Sequence, residues 1–207
     1  MKSRFVHILA QTGHRFLTIP DSDSCFIRTL SRDQNTVKYF SAVQYDKDKA
    51  ERQDLFFQAN LLNPKFELIL GDFRKRHRWK RVKIGEKKES VKITYWEEKK
   101  TDVSIACHMI RDVILNKWDI SFLFCADGDL SPPIEVIKEI KPQHKIIAFF
   151  PPNTFSYDIK GKANKVILLK GREKSFKNSL FENKIKISDD YTLECPDKWK
   201  KNNYNYL

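Results

Sequence analysis

Two aspartates flank one glycine in the segment Asp127-Gly128-Asp129, directly after the apolar run at 121–125. An apolar run of this length predicts a strand buried on both faces, and open parallel sheets bind ligands at the carboxyl ends of their strands. Neighbouring carboxylates repel one another unless a hard cation lies between them, and oxygen ligands favour Mg²⁺ or Mn²⁺. A cation held at this turn could activate a water against a phosphodiester bond. Because Asp and Gly are also ordinary turn formers, a purely structural turn is the alternative.

The surrounding pattern predicts an α/β domain that would position this turn. Strands are predicted at 36–41, 66–70, 121–125, 145–150 and 166–169, and helices at 46–62, 103–116 and 132–140. Residues 5–30 carry apolar clusters at roughly helical spacing, which predicts two short helices around a loop, and Gly71 is expected to end the second strand. Strands that alternate with helices imply a mostly parallel sheet with right-handed crossovers.

Positive charge is concentrated in two segments of the chain. The formal net charge is +12, and residues 74–100 hold twelve Lys/Arg against four Asp/Glu. Residues 160–207 hold twelve Lys/Arg against six Asp/Glu. Such a distribution suits a surface that meets phosphates, although a solvated lysine-rich surface would give the same count.

The first basic segment, 74–100, also carries Trp79, Tyr95 and Trp96, which predicts an extended arm or hairpin with 91–95 as one of its strands. Basic residues interleaved with aromatic ones suit contact with the backbone and bases of single-stranded nucleic acid. The alternative is that the aromatic residues pin the arm to the core. The candidate phosphate-binding residues are Arg74, Arg76, Arg78, Lys80, Arg81, Lys99 and Lys100.

Several function classes find no support in the sequence. No apolar run approaches the roughly 18–20 residues that span a membrane, and the N-terminus lacks the features of a secretory signal. The four cysteines, Cys25, Cys107, Cys125 and Cys195, form no CxxC pair and are predicted to be buried free thiols. We therefore expect a cytoplasmic protein. Neither a dinucleotide-binding GxGxxG, a phosphate-binding loop nor a G-x-S-x-G nucleophile elbow is present.

Paired motifs in a fixed order resemble the NYN domain family, the LabA-like relatives of PIN-domain nucleases. The stretch Glu97–Ala106, with Lys99-Lys100-Thr101-Asp102-Val103, resembles the family's "KKTDV-x-IA" segment. Cys125–Ile134 resembles its "SGDSDL-x-P-x-I" segment, and Tyr39–Ala42 resembles its early "YFTA" strand. The likeness extends loosely from Phe5 to Trp199. It suggests a domain at 1–183, including the basic arm, and a C-terminal extension at 184–207.

The resemblance implies a three-layer α/β/α PIN-like domain and a Mg²⁺- or Mn²⁺-dependent ribonuclease acting on single-stranded or structured RNA. By position, Asp102, Asp127 and Asp129 would be the catalytic residues and metal ligands. From the residues alone, Asp102 could instead be the N-cap of the helix that it precedes.

Two departures from the family pattern put catalysis in doubt. The family opens with a strand that ends in an Asp-Gly-x-Asn-like motif, whereas no aspartate occurs here before Asp21. Residues 5–9 resemble the helix that follows that strand, so we expect either a start recorded too late or a domain that lacks its first strand. His108 stands where the family commonly has an aspartate, as an exposed histidine or as a substituted site residue.

Three functions are therefore compatible with the sequence. The first is an active Mg²⁺-dependent ribonuclease. The second is a degenerate, weak or inactive relative that binds RNA in a salt-sensitive, metal-independent way. The third is a protein-interaction module whose basic arm binds an acidic partner.

Overall fold

The computed structural model describes residues 5–10, 35–84, 87–172 and 181–200. A seven-stranded sheet has the order β4-β3-β2-β1-β5-β6-β7, and every neighbouring pair is parallel except β3 with β4. A separate antiparallel pair, β8-β9, lies near the C-terminus. The elements are β1 Phe5–Ala10, β2 Asn35–Ala42, α1 Lys47–Leu61, β3 Phe66–Ile84, β4 Lys87–Lys99, α2 Thr101–Ile114, β5 Ile120–Phe124, α3 Ser131–Ile140, β6 Lys145–Phe150, α4 Tyr157–Lys162, β7 Lys165–Leu168, β8 Lys184–Lys186 and β9 Thr192–Glu194.

The first strand overturns one expectation. Residues 5–10 form β1, not a helix, and β1 lies between β2 and β5 at the centre of the parallel sheet. The domain therefore has a strand in the position that was expected to be missing. Short apolar runs do not separate strand from helix by periodicity, and that ambiguity explains the error. The second helix expected before residue 30 lies outside the described residues.

Helices cover both faces of the sheet. On one face, α2, α3 and α4 bury side chains that include Phe40, Ile105, Leu123, Ile134 and Ile159. On the other face, Tyr39, Phe56, Phe57 and Phe66 form an aromatic cluster beneath α1. This arrangement confirms the α/β class with a mostly parallel sheet. Within the described ranges, no helix is long and apolar enough to cross a membrane.

The basic arm is a hairpin that continues the sheet beyond its edge. Strand β3 pairs with β2 only as far as Gly71, opposite Ala42, and then pairs with β4 through residue 84. At about 3.3 Å per residue, the ribbon extends roughly 40 Å past the carboxyl ends of the parallel strands. The expectation that Gly71 ends its strand was wrong. A Cβ at Gly71 would lie 2.5 Å from the Lys99 carbonyl oxygen, so glycine is required by the close approach of β4.

The C-terminal segment packs on the α1 face. Leu193 of β9 is buried, Trp199 contacts the aromatic cluster, and the Tyr191 hydroxyl donates to Gln58 Oε1 at 3.0 Å. The thiols differ from the prediction: Cys125 is buried, but Cys107 is exposed and Cys195 is partly buried, all three being free. Cys25 lies outside the described residues.

Candidate active site

The acidic turn is held rigidly at the carboxyl end of β5. Residues Gly128–Leu130 form a single 3-10 turn, and the Asp127 carboxylate accepts the backbone N–H of Asp129 at 3.0 Å. Leu130 is fully buried, and α3 begins at the next residue with Pro132 and Pro133 in its first turn. Because its far end is anchored in the core, the turn keeps both aspartates at the sheet edge.

Asp102 reaches the same edge from the start of α2. The helix begins immediately after β4, and Lys100 makes the transition with φ of 77°, a left-handed conformation that is unusual for a lysine. Lys100 is the N-cap residue, so the interpretation of Asp102 as the helix cap was wrong. Asp102 is the second residue of the helix, and its side chain is available for another role.

The surroundings of Asp102 disfavour the ionised form of its carboxyl group. Its Oδ1 atom is buried and has no hydrogen-bond partner among the described residues. Burial raises the pKa of Asp102, and the nearby charges of Asp127 and Asp129 raise it further. The fold therefore brings the three predicted aspartates into electrostatic contact, and it leaves one buried oxygen without a donor. Such an oxygen is stabilised by a cation or by a proton.

A fourth carboxylate at this edge was missed by the sequence analysis. A Cβ placed on Gly128 would lie 3.2 Å from Asp158 Oδ2 and 3.7 Å from Ser156 Oγ. Ser156 is the N-cap of α4, its hydroxyl accepting the Ile159 N–H at 3.3 Å, and Asp158 lies in the first turn. A serine N-cap followed by an aspartate is a recognisable helix start, but nothing in the sequence links it to residues 30 positions earlier.

Two aromatic residues, Phe155 and Tyr157, closely precede Asp158 at the start of α4. The rings of Phe155 and Tyr157 meet edge to face with centroids 4.8 Å apart, and Phe155 also contacts Phe150 of β6. Tyr157 is 82% exposed. Tyr157 therefore presents an exposed ring that packs on Phe155, a partly covered ring that in turn contacts the buried Phe150. A nucleobase could stack on such a ring.

The sequence-predicted His108 lies away from this edge. It is six residues after Asp102, or about 9 Å further along the helix axis. Its ring contacts Phe40 edge to face at 5.3 Å, and its Nδ1 lies 3.3 Å from Arg111 Nη2. Burial lowers the pKa of His108, and the cations Arg111 and Lys38 lower it further, so the ring is uncharged at neutral pH. The histidine is half-buried rather than exposed.

Below His108 lies a buried ion pair that the sequence analysis also missed. Lys38 of β2 and Asp112 of α2 are 1% and 3% exposed and bond directly through Nζ and Oδ2. Asp112 Oδ1 also accepts Arg111 Nη2 at 3.1 Å. Burial acts to raise the pKa of Asp112, but the hydrogen bonds from Lys38 and Arg111 outweigh it, so the carboxylate stays ionised. This pair joins α2 to the sheet.

The predicted phosphate-binding residues lie on or beside the arm rather than among the aspartates. Lys99 pairs with Glu97 at 2.6 Å, and Lys100 pairs with Asp72. Arg76 Nε is 3.4 Å from Glu97, and the Arg78 guanidinium lies 5.3 Å from the Tyr95 ring centroid. Several of these cations therefore already have partners. Arg74, Lys80 and Arg81 are exposed along β3.

The donor set fits a hydrated hard cation better than a fully protein-bound one. Among the described residues, no group of three or more His, Cys, Asp or Glu side chains converges closely enough to enclose a metal ion. Magnesium commonly uses only one or two carboxylates and keeps several waters. The unpartnered Oδ1 of Asp102 and the side chains of Asp127 and Asp129 near it meet that lesser requirement.

Comparison with known proteins adds information about the fold only. No family model matches the chain, and no curated protein matches it. A protein of unknown function from Vibrio parahaemolyticus shares the fold. It aligns with a TM-score of 0.52 at 16% identity, over 84% of this chain and 96% of that one. MurG from Acinetobacter baumannii aligns with a TM-score of 0.40 at 11% identity, over 86% of this chain and 43% of MurG.

Proposed function

We propose that the protein is a Mg²⁺- or Mn²⁺-dependent ribonuclease with a PIN-like, NYN-type site at the carboxyl edge of its sheet. The observation that carries the proposal is the buried, unpartnered Oδ1 of Asp102, in a carboxyl group whose pKa the charges of Asp127 and Asp129 raise. Burying an acceptor without a donor and beside two carboxylates is destabilising, so a functional reason for the arrangement is needed.

In this function each residue of the edge has a definable task. Asp102, Asp127 and Asp129 would hold the cation, which would supply an activated water and neutralise charge on the phosphodiester. The Asp127 carboxylate also fixes the turn through the Asp129 N–H, so its two oxygens divide structural and binding roles. Asp158 adds negative charge beside Gly128, and Tyr157 offers a ring to a base of the substrate.

Cleavage of an end-labelled single-stranded RNA with Mg²⁺, Mn²⁺ or EDTA tests this proposal. We expect metal-dependent cutting by the wild type and a loss of at least 100-fold in Asp127→Asn. Asp189→Asn is the matched control, because Asp189 is 94% exposed in the turn between β8 and β9. Intact RNA with every metal, in a protein shown to be folded, would contradict the proposal.

A degenerate relative that binds RNA without cutting it is the second candidate. It is favoured by the absence of any Asp or Glu among residues 1–20, so the residues just past β1 supply no carboxylate. This candidate predicts RNA binding that EDTA leaves unchanged and that weakens steeply with salt.

A further inference from the structure

The pairing register divides the arm into two chemically different faces. It runs without a bulge from Asp72 opposite Lys99 to Ile84 opposite Lys87, so directly opposed residues share a face and the faces alternate. We name them by their characteristic side chains. The tryptophan face carries Phe73, Lys75, His77, Trp79, Arg81 and Lys83 with Lys88, Ser90, Lys92, Thr94, Trp96 and Glu98. The arginine face carries Asp72, Arg74, Arg76, Arg78, Lys80 and Val82 with Glu89, Val91, Ile93, Tyr95, Glu97 and Lys99.

Cations on the arginine face are largely compensated. Its five cations share the face with Asp72, Glu89 and Glu97. Glu97 contacts both Arg76 and Lys99, and Arg78 lies over the ring of Tyr95. This face already satisfies much of its own charge.

Cations on the tryptophan face are not compensated in this way. Its five cations share the face with a single carboxylate, Glu98, which accepts the Thr101 hydroxyl at the base of the arm. The cations are Lys75, Arg81, Lys83, Lys88 and Lys92, and none of them forms a salt bridge with any residue that the structure describes. The face therefore presents concentrated positive charge to a partner.

The aromatic residues of this face divide into an anchor and an exposed ring. Trp96 stacks on Tyr45 with centroids 4.8 Å apart and planes 7° apart, and Tyr45 also contacts Phe73. These three rings fix the base of the arm, as the anchoring alternative requires. Trp79 lies four residues beyond Lys75, the residue opposite Trp96, and therefore roughly 13 Å further along the strand. Its side chain is 71% exposed. Anchoring does not account for Trp79.

We propose that the tryptophan face binds single-stranded RNA, with Trp79 stacking on an unpaired base and the surrounding lysines contacting phosphates. A cationic groove with exposed aromatic rings is the general solution for binding single strands, and a duplex offers no base face to an indole on its surface. Ile69 and Phe73 point to the same face of β3, because side chains alternate along a strand. Ile69 packs in the core on the α2 side of the sheet. The face therefore begins on the side of the sheet where α2 presents Asp102. This inference rests on the proposed RNA substrate and assigns its binding surface.

Binding to a fluorescein-labelled 20-nucleotide RNA, followed by anisotropy in EDTA, tests this assignment. We expect Trp79→Ala to weaken binding about 5- to 100-fold, the range that base stacking contributes, and Trp79→Phe to restore most of it. Lys75→Ala/Lys92→Ala should weaken binding and lower the salt dependence. The variant Arg74→Ala/Lys80→Ala removes two exposed cations from the arginine face and distinguishes the two faces. The sequence named both residues as candidate phosphate contacts, whereas binding through the tryptophan face predicts an effect of less than about 3-fold.

Three outcomes would overturn the assignment. The first is an arginine-face variant that weakens binding as much as Trp79→Ala does, and the second is equally tight binding of a duplex of the same sequence. The third is displacement of the RNA by a polyglutamate competitor at equal charge concentration. The last would indicate an acidic protein partner. Because the measurement is made without metal, arm-dependent binding by a protein that never cuts RNA would reject only the ribonuclease proposal. Metal-dependent cutting with normal binding by Trp79→Ala would reject only this inference.

Discussion

The Oδ2 atom of Asp158 lies 3.2 Å from the position that a Cβ would occupy on Gly128. The glycine sits between the two aspartates of the acidic turn, and Asp158 sits in the first turn of α4. The acidic turn and the start of α4 can therefore approach each other closely because Gly128 has no side chain. The acidic edge is consequently built from three elements, namely the turn after β5, the start of α2 and the start of α4.

Replacing Gly128 by alanine should displace the Asp158 carboxylate without unfolding the protein. At 3.2 Å, the added methyl would lie closer to Asp158 Oδ2 than most Cβ atoms in proteins lie to a neighbouring atom. The exposed Asp158 side chain can rotate away. If Asp158 supports the site, Gly128→Ala and Asp158→Asn should each lower kcat about 10- to 100-fold, the usual cost of losing a group that supports metal ligands. Single-turnover cleavage with circular dichroism as the folding control measures both. Normal rates in both variants would place Asp158 outside the reaction.

Asp102→Asn should abolish cleavage and stabilise the metal-free protein. Burial and two neighbouring carboxylates raise the pKa of Asp102 in the folded state above its unfolded value. The folded state therefore binds the extra proton, and stability falls as the pH rises from the unfolded toward and through the folded pKa. The neutral amide removes this penalty. We expect an increase in melting temperature of roughly 1–3 °C at pH 7 in EDTA, since partial exposure screens the repulsion.

Scanning calorimetry from pH 4 to pH 7 measures the predicted stabilisation. The difference between Asp102→Asn and wild type should grow with pH and then level off above the folded pKa. Mg²⁺ should raise the melting temperature of the wild type more than that of the variant, because it binds only a site with its carboxylates. A variant that is less stable than wild type at every pH would show that Asp102 has a structural role instead.

Sequence reasoning located the acidic turn because its signals are local. A largely apolar strand, two aspartates around a glycine and a proline-started helix follow one another closely in the chain. The structure has them as β5, the 3-10 turn and α3. Asp102 as a site residue came from the family resemblance, while local rules favoured a helix cap. The structure rejects the cap because the chain enters α2 straight from a strand, with Lys100 in a left-handed conformation.

The features that were missed depend on tertiary contacts. The strand β1 is identified by its hydrogen-bonded neighbours β2 and β5, not by its pattern of apolar residues. Asp158 joins the site only because α4 packs against the acidic turn. Lys38 occupies a buried strand position that the apolar pattern assigns to a hydrophobic residue, and its partner Asp112 is 74 residues away. The extent of β3 beyond Gly71 likewise depends on pairing with β4.

Breaking the Lys38–Asp112 pair should be far more costly than breaking a surface pair. Both side chains are almost fully buried, so Lys38→Met leaves a carboxylate in the interior whose remaining ion-pair partners, among the described residues, are Arg111 and Lys117. We expect a loss of about 3–5 kcal/mol in the free energy of unfolding, with a smaller loss in the double variant Lys38→Met/Asp112→Leu. Lys186→Ala, which breaks an exposed pair with Asp189, should cost less than about 1 kcal/mol. Urea denaturation distinguishes the two, and equal losses would mean that the buried pair is not a structural link.

Tyr157→Ala should weaken substrate binding while leaving the chemical step nearly intact. The Tyr157 ring is exposed next to Asp158 in the chain and packs on Phe155, which also contacts the buried Phe150. A base stacked on it would contribute about 1–3 kcal/mol, so KM should rise about 5- to 100-fold with kcat within about 3-fold of wild type. Tyr157→Phe keeps the ring and should behave as wild type. Val103→Ala alters another exposed apolar side chain, on α2, and should also be silent. A fall in kcat with unchanged KM in Tyr157→Phe would instead place the Tyr157 hydroxyl in the reaction. If Tyr157→Ala raised the KM for an abasic substrate by the same factor, base stacking would be excluded.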